Sequence, residues 1–170
     1  AGWRARAIDI NAQATALARA RRNTVAEVAL HDCTLNEHFD AVALWNCFDQ
    51  LADPHLALSH VRELLAPRGL LALRVPNGAF YARTRRRTAG LTRAMLAWNN
   101  LASFPYRHGF TAPSLGRLLR EHGFEIVRRE ADTLVSIASP YTRGWARREE
   151  RLLKAGMKKL LPFRWAPWLE

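Results

Sequence analysis

A chain of 170 residues, 49% of them hydrophobic, is long enough for one domain with a real core and short for two. No apolar run approaches the roughly 20 residues that cross a bilayer, and the first residues lack the basic, apolar and small-residue sections of a signal peptide, so a cytoplasmic protein is expected. The net charge of +11, carried mostly by arginine, admits a nucleic-acid or anionic-membrane partner, but an arginine- and alanine-rich composition can equally mean solvated surface without a partner.

In chain order, Arg4 to Ile10 reads as a strand, Ala12 to Arg21 as an alanine-rich helix, and Thr24 to Leu30 as a second strand running into His31-Asp32-Cys33. The stretch Phe39 to Gly78 is the most informative, because strand, loop, helix, turn and strand follow one another without a break. Val42 to Leu44 form a short apolar run expected to be a strand buried on both faces, and Asp53-Pro54 supplies an N-cap followed by a proline suited to the first helical position. Leu58, Val61 and Leu65 share one face of that helix, Pro67 and Gly69 stop it, and Leu70 to Val75 form the next strand. This is a βαβ unit of a parallel sheet. Ligands of open α/β sheets sit at the carboxyl ends of the strands, so Asn46 to Leu51 and Pro76 to Gly78 are the segments expected to border a site.

Further along, Ala79 to Thr88 is polar, basic and weakly periodic and is expected to be a loop. An amphipathic helix from about Leu91 to Leu101 follows, and residues 79–110 read together as a lid or insertion within a single domain spanning 1–170. Thr111 caps a helix with Leu115, Leu118 and Leu119 on one face, and His122-Gly123-Phe124 ends it with a glycine in the left-handed position. Glu125 to Arg129 and Thr133 to Ala138 read as strands, and Trp145 to Leu161 as a basic amphipathic helix before a PFRWAPWLE tail. The two cysteines, Cys33 and Cys47, have neither CxxC spacing nor paired histidines nearby, which leaves no zinc site or disulfide framework and suggests buried thiols.

Four segments, in order, resemble the class I S-adenosylmethionine-dependent methyltransferases. Phe39-Asp40 opens a strand as the family's "FD" does. Leu65-Ala66-Pro67-Arg68-Gly69 stands where the family often has L-K-P-G-G, and Pro76-Asn77 closes the following strand. GFTAPSLGRLLREHGFEIV is similar to the family's late "G[FY]T...L..LL...GF" text. The resemblance implies a Rossmann-like, doubly wound, mostly parallel α/β sheet of strand order 3-2-1-4-5-7-6. The departures are Arg68 in place of a glycine, Asp49-Gln50-Leu51 where many members carry Glu-His, and the absence of any Gly-x-Gly among the nine glycines. Ala1-Gly2-Trp3 lies directly before what matches the family's second strand. The expectation is therefore an N-terminally truncated domain lacking the first strand and glycine-rich loop, with about 60–80 residues ahead of Ala1, and barely stable alone.

By the same resemblance, Asp9 accepts hydrogen bonds from the ribose hydroxyls of S-adenosylmethionine, with Ile10 beside it; from the residues alone Asp9 could equally cap a helix. Asp32 matches the acidic position beside the adenine amino group, or forms an Asx turn, and the Cys33 amide would reach a ring nitrogen. Asn46 and Cys47 line the methionine end. No catalytic residue is assigned. Should the acceptor be a hydroxyl, His108 and His55 are the candidate bases, and His108 can also be read as a surface histidine in a turn. The reaction implied is methyl transfer to a small molecule, lipid or quinone rather than RNA, with peripheral membrane contact suggested by the arginine run Arg83 to Arg87 and the tryptophan-bearing tail. The alternatives are a non-catalytic basic module for RNA or anionic membrane, and a nucleotide-dependent dehydrogenase. The arginine run has one aromatic neighbour, Tyr81, where a single-strand binder needs several.

Overall fold

A computed structural model of the chain describes residues 2, 4–34, 37–87 and 107–132, together with 144, 148, 151, 152, 155, 168 and 169. Its contacts divide into two compact units, one of Ala1–Val42 and His55–Leu70, the other of Ala43–Pro54 and Leu71–Glu170.

In the first unit, β1 (Ala7–Asp9) leads into α1 (Ala12–Ala20) and then β2 (Val25–Glu27), which pairs with β1 in parallel, Ala7 opposite Val25 and Asp9 opposite Glu27. Asn11 is the N-cap of α1: its Oδ1 accepts from the amides of Gln13 and Ala14 at 2.9 and 3.1 Å. The strand expected over Thr24 to Leu30 ends early. After Glu27 the chain turns into a 3₁₀ turn at Leu30–Asp32, where Asp32 donates its amide to Ala29 O and Cys33 to Leu30 O. Local turn bonds thus replace the ladder.

The βαβ unit is present as β3 (Phe39–Trp45), α2 (Pro54–Leu64) and β4 (Leu65–Pro76), with β3 and β4 as neighbours. The helix begins at Pro54, directly after Asp53, and buries Ala57, Leu58, Val61 and Leu64 along one face. β3 departs from expectation: Leu44 is buried, but Val42 is only partly covered and Ala43 is exposed. In the sheet order β3-β4-β6-β5, β3 stands at the end, so its second edge has no ladder partner among the described residues.

Helix α2 passes straight into β4 at Leu65, so the expected turn lies inside the strand. Pro67 followed by Arg68 at φ 65° has the central pair of a type II turn, whose second position favours glycine. Arginine in the left-handed region carries a backbone cost of about 1–2 kcal/mol, partly offset by the chain entropy glycine would lose. Arg68→Gly is expected to stabilise the fold by about 0.5–1 kcal/mol, read from the urea midpoint. A lowered midpoint would show that the arginine side chain more than repays its strain.

In the second unit, β4 runs into α3 (Gly78–Arg87), which corrects the loop expected from Ala79 to Thr88. Asn77 Oδ1 accepts from the Ala79 amide at 3.2 Å in the manner of a cap, and Phe80 and Tyr81 are buried. The apolar anchors are confined to the first turn, so the remaining arginines, good helix formers, show no periodicity in the sequence. Gly78 is needed for close approach: a Cβ there would lie 3.0 Å from Gly109 C and Phe110 O, and its amide donates to Phe110 O at 2.7 Å.

Helix α4 (Ala112–Glu121) has the expected start, a capping box in which Thr111 Oγ1 accepts from Ser114 N and Ser114 Oγ accepts from Thr111 N. It ends as a Schellman motif: Gly123 at φ 75° donates to Arg120 O, and Phe124 donates to Leu119 O. Glu125 to Arg129 is not a strand, because its alternating pattern meets no ladder partner among the described residues. The chain reaches the sheet at β5 (Ala131–Asp132). Both β5 and β4 pair antiparallel with β6 (Trp168–Leu169), so part of the expected tail is a strand. The helix expected from Leu91 to Leu101 and the strand from Thr133 to Ala138 lie outside the described residues. Of Trp145 to Leu161, positions 148, 151, 152 and 155 are described and helical.

Each sheet by itself matches part of the expected order. β1 and β2 are parallel neighbours, like the second and third strands of the order 3-2-1-4-5-7-6, and β3-β4-β6-β5 repeats its 4-5-7-6 half.

Candidate functional site

The adenosine-directed candidates belong to the first unit. Asp9 ends β1 and is exposed; its Oδ1 accepts from the Asn11 amide at 2.8 Å. The cap of α1 is Asn11, so Asp9 is not consumed as a helix cap. Ile10 next to it is 76% exposed, an isolated apolar face at the carboxyl end of the strand. Asp32 is also exposed, on the 3₁₀ turn rather than at a strand end, with His31 Nε2 at 3.4 Å. Cys33 is buried. Its amide is engaged with Leu30 O at 3.3 Å, and its carbonyl lies 2.9 Å from His60 Nε2.

The second unit carries a different kind of chemistry, gathered on the loop after β3. Asn46 ends the strand at φ 61°, donates its amide to Arg74 O at 3.1 Å, and has a buried Oδ1 with no hydrogen-bond partner. A non-glycine residue in the left-handed region with an orphaned acceptor is the pattern of a residue held for function. Cys47 is exposed, which corrects the expectation of a buried thiol. A 3₁₀ turn, Phe48–Gln50, follows, with Phe48 and Asp49 both fully buried.

Asp49 is the residue whose importance the sequence concealed. Neither carboxylate oxygen has a hydrogen-bond partner. Burial pushes the Asp49 carboxyl from an ordinary 3.8 up to about 6, with the neighbouring His108 a smaller influence in the opposite direction. Its main-chain carbonyl, by contrast, is fully used, accepting from the amides of Arg107 and His108 at 3.0 and 2.9 Å. Those two bonds dock residues 107–110 on the loop. His108 Nε2 lies 2.9 Å from Leu51 O, and the Phe110 ring stacks on Phe48 with centroids 5.3 Å apart. Because a carbonyl can only accept, His108 carries its proton on Nε2, leaving Nδ1 as the nitrogen able to take one. His108 is half-buried here, not a surface histidine, whereas His55 is exposed on α2. Arg74 is buried with its guanidinium 5.5 Å from the Trp45 ring centroid.

The sequence marked Phe110 only as part of the family's late text and did not show the docking of 107–110, since contacts between distant segments leave no local pattern. Asp49 lay within the segment Asn46 to Leu51 expected to border a site and departs from the family's Glu-His, but neither signal showed its burial. Among the described residues no group of histidine, cysteine or carboxylate side chains could hold a metal ion, and no helix is long and apolar enough to cross a membrane.

The chain belongs to the methyltransferase domain family, whose model matches residues 1–129. Its backbone is similar to an S-adenosylmethionine-dependent methyltransferase of Mesorhizobium loti, at TM-score 0.63 and 17% identity over 96% of this chain and 77% of that one. It is also similar to the plantazolicin methyltransferase BamL, solved with a triazolic desmethylPZN analog and SAH, at TM-score 0.58 and 13% identity, covering 96% of this chain and 64% of that one. A third likeness is to an S-adenosylmethionine-dependent methyltransferase of Thermotoga maritima described as a possible histamine N-methyltransferase. There the TM-score is 0.54 and the identity 19%, over 71% of this chain and 55% of that one. The chain thus spans little more than half to two thirds of the length of the last two. No curated protein matches it in sequence.

Proposed function

We propose that the protein transfers a methyl group from S-adenosylmethionine to a small or lipid-borne acceptor. The observation that carries this reading is Asn46, held at positive φ at the carboxyl end of β3 with a buried acceptor that nothing in the fold satisfies. An amino group is what such an acceptor lacks, and the cofactor's methionine end has one. Asp9 suits the two ribose hydroxyls because its carboxylate stands exposed at a strand end and is not spent on the helix cap, and Ile10 offers an apolar surface beside it. Asp32 suits the adenine amino group. When bound, the cofactor supplies a methyl already activated on a sulfonium, so the work left to the chain is to hold, align and exclude water.

The acceptor is proposed to be other than RNA on the evidence of α3. Tyr81, the aromatic neighbour of the arginine run, is 1% exposed and packs edge-on against Phe80, so it offers no face for a base.

The test is a thermal shift of the full-length protein with S-adenosylhomocysteine, with NAD as the control for a dehydrogenase. Saturating product at about 100 times its dissociation constant stabilises by about 2.7 kcal/mol. A shift with S-adenosylhomocysteine alone supports methyl transfer; a shift with NAD alone overturns it.

A further inference from the structure

We propose that Asp49 is the acceptor-side recognition residue and that the acceptor presents an amine to it. This rests on the methyl-transfer reading and narrows it. The carboxylate is fully buried in the loop that follows β3, three residues beyond Asn46, and no hydrogen bond reaches either oxygen. Folded proteins rarely leave such a group without hydrogen bonds, because a buried carboxylate that accepts none is among the most costly features a core can contain. The surrounding segment is well ordered by other bonds. The Asp49 carbonyl takes two amides, His108 is tied to Leu51, and Phe110 is stacked on Phe48. The unsatisfied oxygens are therefore not the result of a loosely packed loop; the backbone is anchored on both sides of them.

A carboxylate in this setting needs donors and positive charge together. An alkylammonium supplies both, with three N–H groups and a full charge, whereas an alcohol supplies one donor and no charge. Phe48 and Phe110 add aromatic rings, whose faces attract cations and whose edges pack against hydrocarbon. Asp49 sits on the same loop as Asn46, at the carboxyl end of the strand, so the ammonium it holds lies on the ligand side of the sheet; to take the methyl, that nitrogen first gives one proton to the Asp49 carboxylate and attacks as the neutral amine.

The experiment compares benzylamine with benzyl alcohol, matched in ring and differing in the polar head, by calorimetric titration of the full-length protein saturated with S-adenosylhomocysteine. The parent is expected to prefer the amine by about 10–100-fold, the range of a charge-assisted contact, and Asp49→Asn to abolish that preference while leaving S-adenosylhomocysteine affinity unchanged. Equal affinity for the two probes, or no binding of benzylamine, overturns the proposal. So does a preference that survives in Asp49→Asn. A tenfold or greater loss of S-adenosylhomocysteine affinity in the variant also overturns it, by moving Asp49 to the cofactor. Failure of the parent to bind S-adenosylhomocysteine would instead sink the methyl-transfer reading itself.

Discussion

At pH 8, Asp49→Asn is expected to be more stable than the parent by about 2–3 kcal/mol, and at pH 4 the two should be nearly equal. The folded carboxyl loses its proton at about 6 and the unfolded one at an ordinary 3.8, so between those values the folded chain binds more protons than the unfolded chain. Stability therefore falls as pH rises through this window and levels off above it. The difference corresponds to about 3 kcal/mol at 1.4 kcal/mol per pH unit, and part of it is returned because asparagine leaves a buried amide. Urea titrations of parent and variant at the two pH values measure it. A difference that is the same at pH 4 and pH 8 would mean that burial does not raise the pH at which the Asp49 carboxyl loses its proton. A stabilising substitution at a buried acid is what a functional residue looks like, since a site keeps a costly group for its chemistry and not for the fold.

The βαβ unit was legible because each of its signals is local. Asp53-Pro54 marks a helix start, Leu58 and Val61 mark its buried face, and both ends of α4 are written in Thr111 and Gly123. What failed to show was whatever depends on pairing. Ala43 is exposed while Leu44, on the opposite face of the same strand, is buried, a difference set by what covers each face and not by the apolar run itself. Residues 125–129 alternate like a strand yet find no ladder, and α3 was hidden because its apolar anchors, Phe80 and Tyr81, occupy a single turn. The site divides in the same way. Asp9 and Asn46 are candidates named by the family resemblance at the ends of apolar strands, while Asp49 became visible only when its burial and its missing hydrogen bonds could be seen.

In the full-length protein, Asp9→Ala is expected to weaken binding of S-adenosylmethionine by about 2–4 kcal/mol, roughly 30-fold to nearly 1,000-fold, because two charge-assisted ribose contacts disappear and their partners are left unsatisfied. The structure also gives Asp9 a local role, its Oδ1 holding the Asn11 amide at 2.8 Å, so loss of the turn must be separated from loss of the ligand. Asp9→Asn makes that separation. Its amide oxygen can keep the bond to Asn11, but the charge and one acceptor are gone, so thermal stability should hold while affinity falls. Asp32→Ala should cost less than Asp9→Ala, because the Asp32 carboxylate is 66% exposed and well hydrated before any ligand arrives. Calorimetric titration of the three variants ranks them. If Asp9→Asn binds as tightly as the parent, Asp9 is a turn-forming residue and the ribose must be held elsewhere.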